Sequence, residues 1–403
     1  MIKRIIKSYD YPLIIAICLL CIFGLVMVYS SSMVYGATKF SNPTFFFERQ
    51  RLSLMIGLVG FIGTMLFPYK AYSYSKFLIG IVLLSIGMLG VVFIFGQTAN
   101  NAQSWLSLGT RGIQPSEFTK LSVIIYLAAV YSKKQSYIDQ FDKAVLPPIL
   151  FTFVICLFVV IQPDVGTAFI IGMIAVFMVL CSGMGMKSLI KLSLIAVIGF
   201  GVISPILMMN YDRIFTTERL SRFEGYSDPF ATEDDAGYQL VNSYIALGSG
   251  GLSGLGLGQS VQKFGYLPES YTDFIMAVIA EELGIFGVFF VLFLLMFVIL
   301  RGFAIARKCE DPFGSLLAIG ISSMIAIQAF INLGGLTGLI PITGVTLPFI
   351  SYGGSSLILL LTSVGILVNV SMFVNYHSTY NNTKQKETTQ RQQAQYRSKY
   401  NLR

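Results

Sequence analysis

Ten stretches of mainly apolar residues, divided by polar breaks, occupy positions 12–34, 51–67, 77–95, 118–132, 147–162, 165–182, 190–209, 272–300, 313–338 and 351–376. A helix needs about 20 such residues to cross the hydrocarbon of a bilayer. The fourth to sixth stretches are short or irregular, so their ends are loosely defined. The pattern predicts an all-α integral membrane protein with about ten transmembrane helices in one unit, residues 1–376. Most breaks are short, which suits antiparallel neighbours. Two are not: 96–120, and 210–271 between the seventh and eighth helices. Loops beyond about 15 residues are usually functional or disordered. The glycine and aromatic punctuation of 210–271 points to a built loop. After residue 376 the chain is rich in Gln, Thr, Lys and Asn and nearly devoid of apolar residues. That composition predicts a disordered basic tail over 377–403.

Composition sharpens this picture. The chain of 403 residues is 55% hydrophobic and 12% charged, against about 25% charged in soluble domains. Its net charge of +8 would suit nucleic acid if it were spread over one face, but it follows the alternation of the breaks. With the N-terminus inside, 19 of the 28 Lys and Arg residues fall on the inner side: Lys3, Arg4, Lys7, Lys70, Lys76, Lys133, Lys134, Lys143, Lys187, Lys191, Arg301, Arg307, Lys308 and six in the tail. That is the positive-inside asymmetry. It predicts a multi-pass protein of the cell membrane with both termini cytoplasmic, both long breaks outside, and no nucleic-acid partner. The first apolar run is too long for the core of a signal peptide, so it reads as a retained helix. Cys18, Cys21, Cys156 and Cys181 lie in apolar stretches and Cys309 on the inner side. Neither a disulfide framework nor a metal site follows from them.

Candidate chemistry gathers outside. The loop 210–271 holds Arg213, Arg219 and Arg222, then the acidic cluster Glu233, Asp234 and Asp235, which reads as solvated surface. Next comes a run of glycines from Gly248 to Gly258. Successive amides there could cradle a phosphate, or the glycines could serve close backbone packing. No Lys-Ser/Thr ending follows, so a nucleotide loop is excluded. Asp273 stands at the mouth of the eighth helix, where Thr272 or Ser270 could cap. The helix dipole would favour a carboxylate there, and so would catalysis. Glu281 and Glu282 lie two turns deeper, and ionisable groups at membrane depth are functional candidates by default. In the first outer break Trp105 reads as an interfacial anchor, and Pro115 opens a helix with Glu117 and Lys120 on one face. That pair could be an ion pair or a diphosphate contact. The sole histidine, His377, falls on the inner side, so carboxylates must carry any acid–base work.

These stretches together resemble the SEDS family (shape, elongation, division and sporulation) of peptidoglycan glycosyltransferases. The resemblance rests on Asn101–Gly109, Gln114–Lys120, Gln162-Pro-Asp164, Gly237-Tyr-Gln239, Gly248–Gly251, Leu267–Phe274, Glu281–Gly284 and Leu347–Ser356. It covers about 10–375, and Gly258–Tyr266 is closer to the division branch than to the elongation branch. Two departures stand out: Tyr271 where the family often has His, and Ser104 where it commonly has a basic residue. The resemblance implies lipid II as acceptor and a growing glycan on undecaprenyl diphosphate as donor. Asp273 would be the catalytic base, acting by inversion. Lys120, Glu117, Trp105, Arg213, Arg219, Arg222, Lys263, Ser351 and Gly353 are the candidate substrate contacts. No metal-ligand motif is present, although a divalent cation (Mg or Mn) could share the diphosphate charge. The implied partners are a class B penicillin-binding protein, the cross-linking transpeptidase, and other division proteins at the septum. A lipid II flippase and a non-catalytic division scaffold are the alternative classes.

Overall fold

The computed structural model describes residues 2–99, 102–108, 111–138, 140–209 and 217–381. Every apolar stretch is helical. A short amphipathic turn, α1 (Ile2–Lys7), leads into α2 (Tyr11–Phe40), α3 (Phe45–Leu66) and α4 (Ser75–Phe95). After a small sheet come α5 (Pro115–Lys133), α6 (Leu146–Ile161), α7 (Val165–Leu180) and α8 (Met186–Met209). Among the described residues of the long loop are two helices, α9 (Thr217–Ser227) and α10 (Tyr238–Ser249). The chain then forms α11 (Ile275–Lys308), α12 (Pro312–Leu336) and α13 (Gly354–Tyr376). Among the described residues, six helical stretches are long and apolar enough by themselves to cross a membrane: Tyr11–Phe40, Ser75–Phe95, Phe141–Ile161, Ile275–Lys308, Pro312–Leu336 and Gly354–Thr379. Helix α5 falls short because Glu117, Lys120 and Lys133 interrupt its 19 residues.

Local chemistry sets where helices begin. Asp10, Asp164 and Asp311 each accept a hydrogen bond from the backbone amide three residues on, at 3.4, 3.2 and 3.3 Å. These bonds satisfy amides that the helix leaves orphaned. Prolines at the first positions of α5 and α12 reinforce the start, since the missing N–H has no partner there anyway. Helices α12 and α13 form the centre of the bundle, with most of their apolar windows buried, whereas α4 keeps most of its window on the outside. At the end of the bundle where α2 begins and α13 ends, Asp10 accepts from Arg301 Nε at 2.8 Å and Ser371 Oγ at 3.2 Å, tying α2, α11 and α13 together.

The break 96–120 contains what periodicity did not suggest, an antiparallel sheet of β1 (Gln97–Ala99), β2 (Ala102–Leu108) and β3 (Arg111–Ile113) in that order. Trp105 is on the central strand opposite Gln97, and its ring lies over Gly112 of β3. Of the predicted tail, residues 377–381 form a single π-type turn. The rest, 382–403, lies outside the described residues, as do Asn100, Asn101, Gly109 and Arg213.

Candidate active site

The glycine run resolves first, because it fixes the height of everything around it. Helix α11 is broken at Gly284, whose φ of 62° and ψ of −157° lie far from helical values. The chain after α10 fills the break: Leu255 N donates to Glu281 O and Gly256 N to Glu282 O, both at 2.9 Å, and Ile285 N donates to Gly251 O at 3.2 Å. A side chain at Gly254 would place its Cβ 2.2 Å from Glu282 O, and φ there is +76°. Only glycine accommodates both demands. Of the two roles the run could play, the structure shows backbone packing against a helix whose own ladder is interrupted. Those amides face carbonyls.

Beneath this loop lies a buried polar cluster. Lys263 Nζ is 2.8 Å from Glu282 Oε1, with both side chains fully buried. Ser30 of α2 donates to both Glu282 oxygens at 2.7 and 2.8 Å, and Lys263 also reaches Ser30 Oγ at 3.2 Å. Glu281 binds the loop itself, accepting from Ser260 Oγ, from Val261 N at 2.9 Å and from Gln262 N at 3.4 Å. Both carboxylates predicted at membrane depth are thus occupied in holding residues 259–264 onto α11. Lys263 is spent in the same cluster.

Asp273, half-buried, stands two residues before α11 on a tight turn in which Thr272 N and Phe274 N converge on Glu269 O at 3.1 and 3.2 Å. Neither Thr272 nor Ser270 caps the helix as the sequence suggested. Thr272 Oγ1 folds back onto Glu269 O at 3.1 Å, Ser270 Oγ donates to Ser31 O at 3.4 Å, and Phe274 takes the cap position without a side-chain bond. The turn is clamped from the other end of the chain. Ser351 Oγ donates to Thr272 O at 2.6 Å while accepting from Leu347 N, and Tyr352 N donates to Tyr271 O at 2.9 Å. Gln50 of α3 spans the same motif, its amide donating to Ser351 O at 3.1 Å and accepting from Gly353 N at 3.3 Å. Aromatic rings close this side: Phe46 lies 4.5 Å from Tyr271 and 5.1 Å from Tyr352. Burial, then the nearby Glu269, Tyr35 and Tyr352, push the Tyr271 hydroxyl well above its ordinary range.

The second half of the site is built on the start of α5. Lys120 Nζ lies 2.7 Å from Glu117 Oε1 and is buried. The other Glu117 oxygen is buried and has no hydrogen-bond partner among the described residues. Gln114, just before the helix, donates through Nε2 to Asp164 at 2.8 Å, and Ser116 Oγ reaches the same carboxylate at 3.1 Å. Gln114 N donates to Ser355 Oγ at 3.2 Å. Contacts therefore link the N-termini of α5, α7 and α13, and Ser351 links α13 to the turn before α11. Four helix starts converge at one end of the bundle, and their dipoles sum to a positive potential there. A small cleft opens beside Asp273, lined by Asn332, Gly335, Thr343, Gly344 and Val345.

Arg219 and Arg222 fall on α9 in the long loop. Glu233, Asp234 and Asp235 are exposed, as a solvated surface should be. Among the described residues no group of three or more His, Cys, Asp or Glu is placed to hold a metal ion. Sequence reasoning missed Gln50, Asn332 and Arg49. Arg49 stacks 4.1 Å from the Phe45 ring, and its charge sits near the Tyr352 hydroxyl. A charged residue between three phenylalanines and an apolar run was the available signal for it.

Comparison with known proteins agrees with this geometry. A family profile described as "Cell cycle protein", covering the FtsW, RodA and SpoVE group, matches residues 11–376. The chain is 61% identical over 388 residues to "Probable peptidoglycan glycosyltransferase FtsW" of Bacillus subtilis (strain 168), covering 96% of each chain. It is 40% identical to stage V sporulation protein E of the same organism, over 92% of this chain and 98% of that one. Among solved structures, Thermus thermophilus rod shape determining protein RodA superposes with a TM-score of 0.64 at 25% identity, over 90% of this chain and 96% of that one. A chain of a peptidoglycan synthase complex shares the fold with a TM-score of 0.69 at 23% identity, over 91% and 98%. Helix order, converging motifs and these likenesses lead to one assignment: the chain belongs to the SEDS family of multi-pass membrane proteins.

Proposed function

We propose that this chain is a peptidoglycan glycosyltransferase that polymerises lipid II at the outer face of the membrane, in the manner its FtsW relatives' name describes. The observation that carries the reading is the convergence of Asp273, the buried Lys120–Glu117 pair and four helix N-termini at one end of the bundle. The acceptor sugar's 4-hydroxyl is a weak nucleophile and needs a base within hydrogen-bond reach. Asp273 takes its proton as the oxygen attacks the anomeric carbon and the lipid diphosphate leaves. Charge building on that leaving group meets Lys120 and the helix dipoles, which are already oriented. Ser351, Gly353 and Gln50 hold the turn that carries Asp273. Trp105 and Glu117 border the donor side, with Arg213, Arg219 and Arg222 as further contacts from the loop 210–271. Inversion of an α-diphosphate gives a β-linkage without a sugar–enzyme intermediate.

In this reading all ten long helices cross the membrane, both termini are cytoplasmic, and the protein works at the division septum. A class B penicillin-binding protein would cross-link the product, with other division proteins assembling around the pair. A lipid II flippase is the second reading, favoured by Ser322 and Ser323, which are buried in the middle of α12 without hydrogen-bond partners among the described residues. Purified full-length protein in detergent, given lipid II, separates the two. The enzyme makes glycan polymer without a membrane barrier, whereas a flippase or scaffold makes none.

A further inference from the structure

Asn332, near the end of α12, has an amide whose two ends are used unequally. Its Nδ2 donates to Asp273 O at 2.9 Å and to Val345 O at 2.8 Å. Both N–H bonds are consumed, and the two carbonyl partners fix which end of the amide is nitrogen. The oxygen Oδ1 is buried and has no hydrogen-bond partner among the described residues. The residue is 5% exposed and lines the same cleft as Asp273. A buried acceptor left unmade is costly and calls for an explanation. A ligand that brings the missing donor supplies one.

The donor's chemistry can be narrowed. An ionised diphosphate offers no hydrogen to an amide oxygen, so the leaving group is not what Asn332 meets. An amino sugar offers hydroxyls and one N-acetyl N–H. The N-acetyl group is on C2, separated by C3 from the hydroxyl that attacks, whereas the hydroxyls of C3 and C6 flank it. We infer that Asn332 Oδ1 accepts a hydrogen bond from a flanking hydroxyl of the acceptor sugar. Asn332 is then a substrate-binding residue that sets the rotation of the acceptor over Asp273, while its nitrogen holds the Asp273 backbone. This rests on the reading of Asp273 as the base of a lipid II polymerase.

The test pairs enzyme variants with acceptors. Purified full-length protein in detergent is assayed with lipid II and with analogues whose terminal amino sugar lacks the C3 or the C6 hydroxyl. Wild type should use one analogue roughly tenfold more slowly in kcat/KM, the size of one lost hydrogen bond. Asn332→Ala should be slower on natural acceptor and should erase that tenfold discrimination. Asn332→Ser is the second truncation if Asn332→Ala is not recovered folded. A discrimination that persists undiminished in the truncated variant, or no wild-type discrimination against either analogue, overturns the inference, since a purely structural asparagine would lower rates on all acceptors alike. Absence of polymer from wild type on natural lipid II overturns the polymerase reading itself.

Discussion

Lys263 and Glu282 meet at 2.8 Å with neither side chain exposed to solvent. Removing one member leaves a buried charge without its counterion, which costs roughly 3–5 kcal/mol, whereas replacing both with apolar residues can be neutral. Glu282→Gln and Lys263→Met should therefore each lower the thermal midpoint of the purified protein sharply. The double variant Lys263→Met/Glu282→Leu should recover most of the loss. Equal losses in single and double variants would show that the pair's value lies in something other than charge balance.

The glycine run gives a contrast within one segment. At Gly254 a methyl group would collide with the Glu282 carbonyl, and φ is +76°. Positive-φ strain alone costs about 1–2 kcal/mol, so Gly254→Ala should destabilise by at least that amount. Gly248, near the end of α10, is exposed, with nothing within 4 Å of an added Cβ. There alanine should be neutral or stabilising by about 0.5–1 kcal/mol. Chemical denaturation of the two variants side by side checks the difference.

Tyr271 supplies a pH dependence. Its hydroxyl is held above the ordinary value of 10.0, first by burial and then by Glu269. A raised folded-state value means the folded protein keeps a proton that the unfolded chain releases. The resulting stability is full below pH 10 and is lost as pH rises beyond it. Tyr271→Phe should leave neutral-pH stability and most polymerisation intact while flattening the alkaline loss. A large fall in activity at neutral pH would show that the hydroxyl takes part in the reaction.

Topology underlies every outer-face assignment. Ser227 and Ser136 are both exposed, and the charge asymmetry predicts that they lie on opposite sides. In a background lacking Cys18, Cys21, Cys156, Cys181 and Cys309, Ser227→Cys should react with an impermeant maleimide on intact cells stripped of outer barriers. Ser136→Cys should react only after lysis. The reverse pattern would put Asp273 on the cytoplasmic side.

How far the sequence spoke depended on the range of the interaction. Each apolar stretch became a helix because backbone groups in hydrocarbon must bond within their own segment, so periodicity and length sufficed. The ends were less legible: α3 begins at Phe45 rather than 51 because Glu48, Arg49 and Arg51 interrupt the apolar run without interrupting the helix. The sheet around Trp105 was missed because its two outer strands have three residues each, too few positions for an alternation to register. In the site, Asp273, Lys120 and Glu117 were visible as charges beside apolar helices. Gln50 was not, since its partners Ser351 and Gly353 lie some 300 residues away along the chain. Lys263 looked like a free cation because nothing local shows that it folds back onto Glu282. Asn332 was missed because nothing along the chain shows that its amide holds the Asp273 backbone.

The central claim is that Asp273 is the base of a lipid II polymerase. Asp273→Asn preserves size and removes the basic carboxylate, and the Asn332 bond to the backbone carbonyl at 273 does not depend on the side chain. Purified wild type and Asp273→Asn should show the same thermal midpoint in detergent. Given lipid II, wild type should form glycan polymer and Asp273→Asn none above background, a loss of at least about 100-fold. Polymer from Asp273→Asn at near wild-type rate would contradict the account.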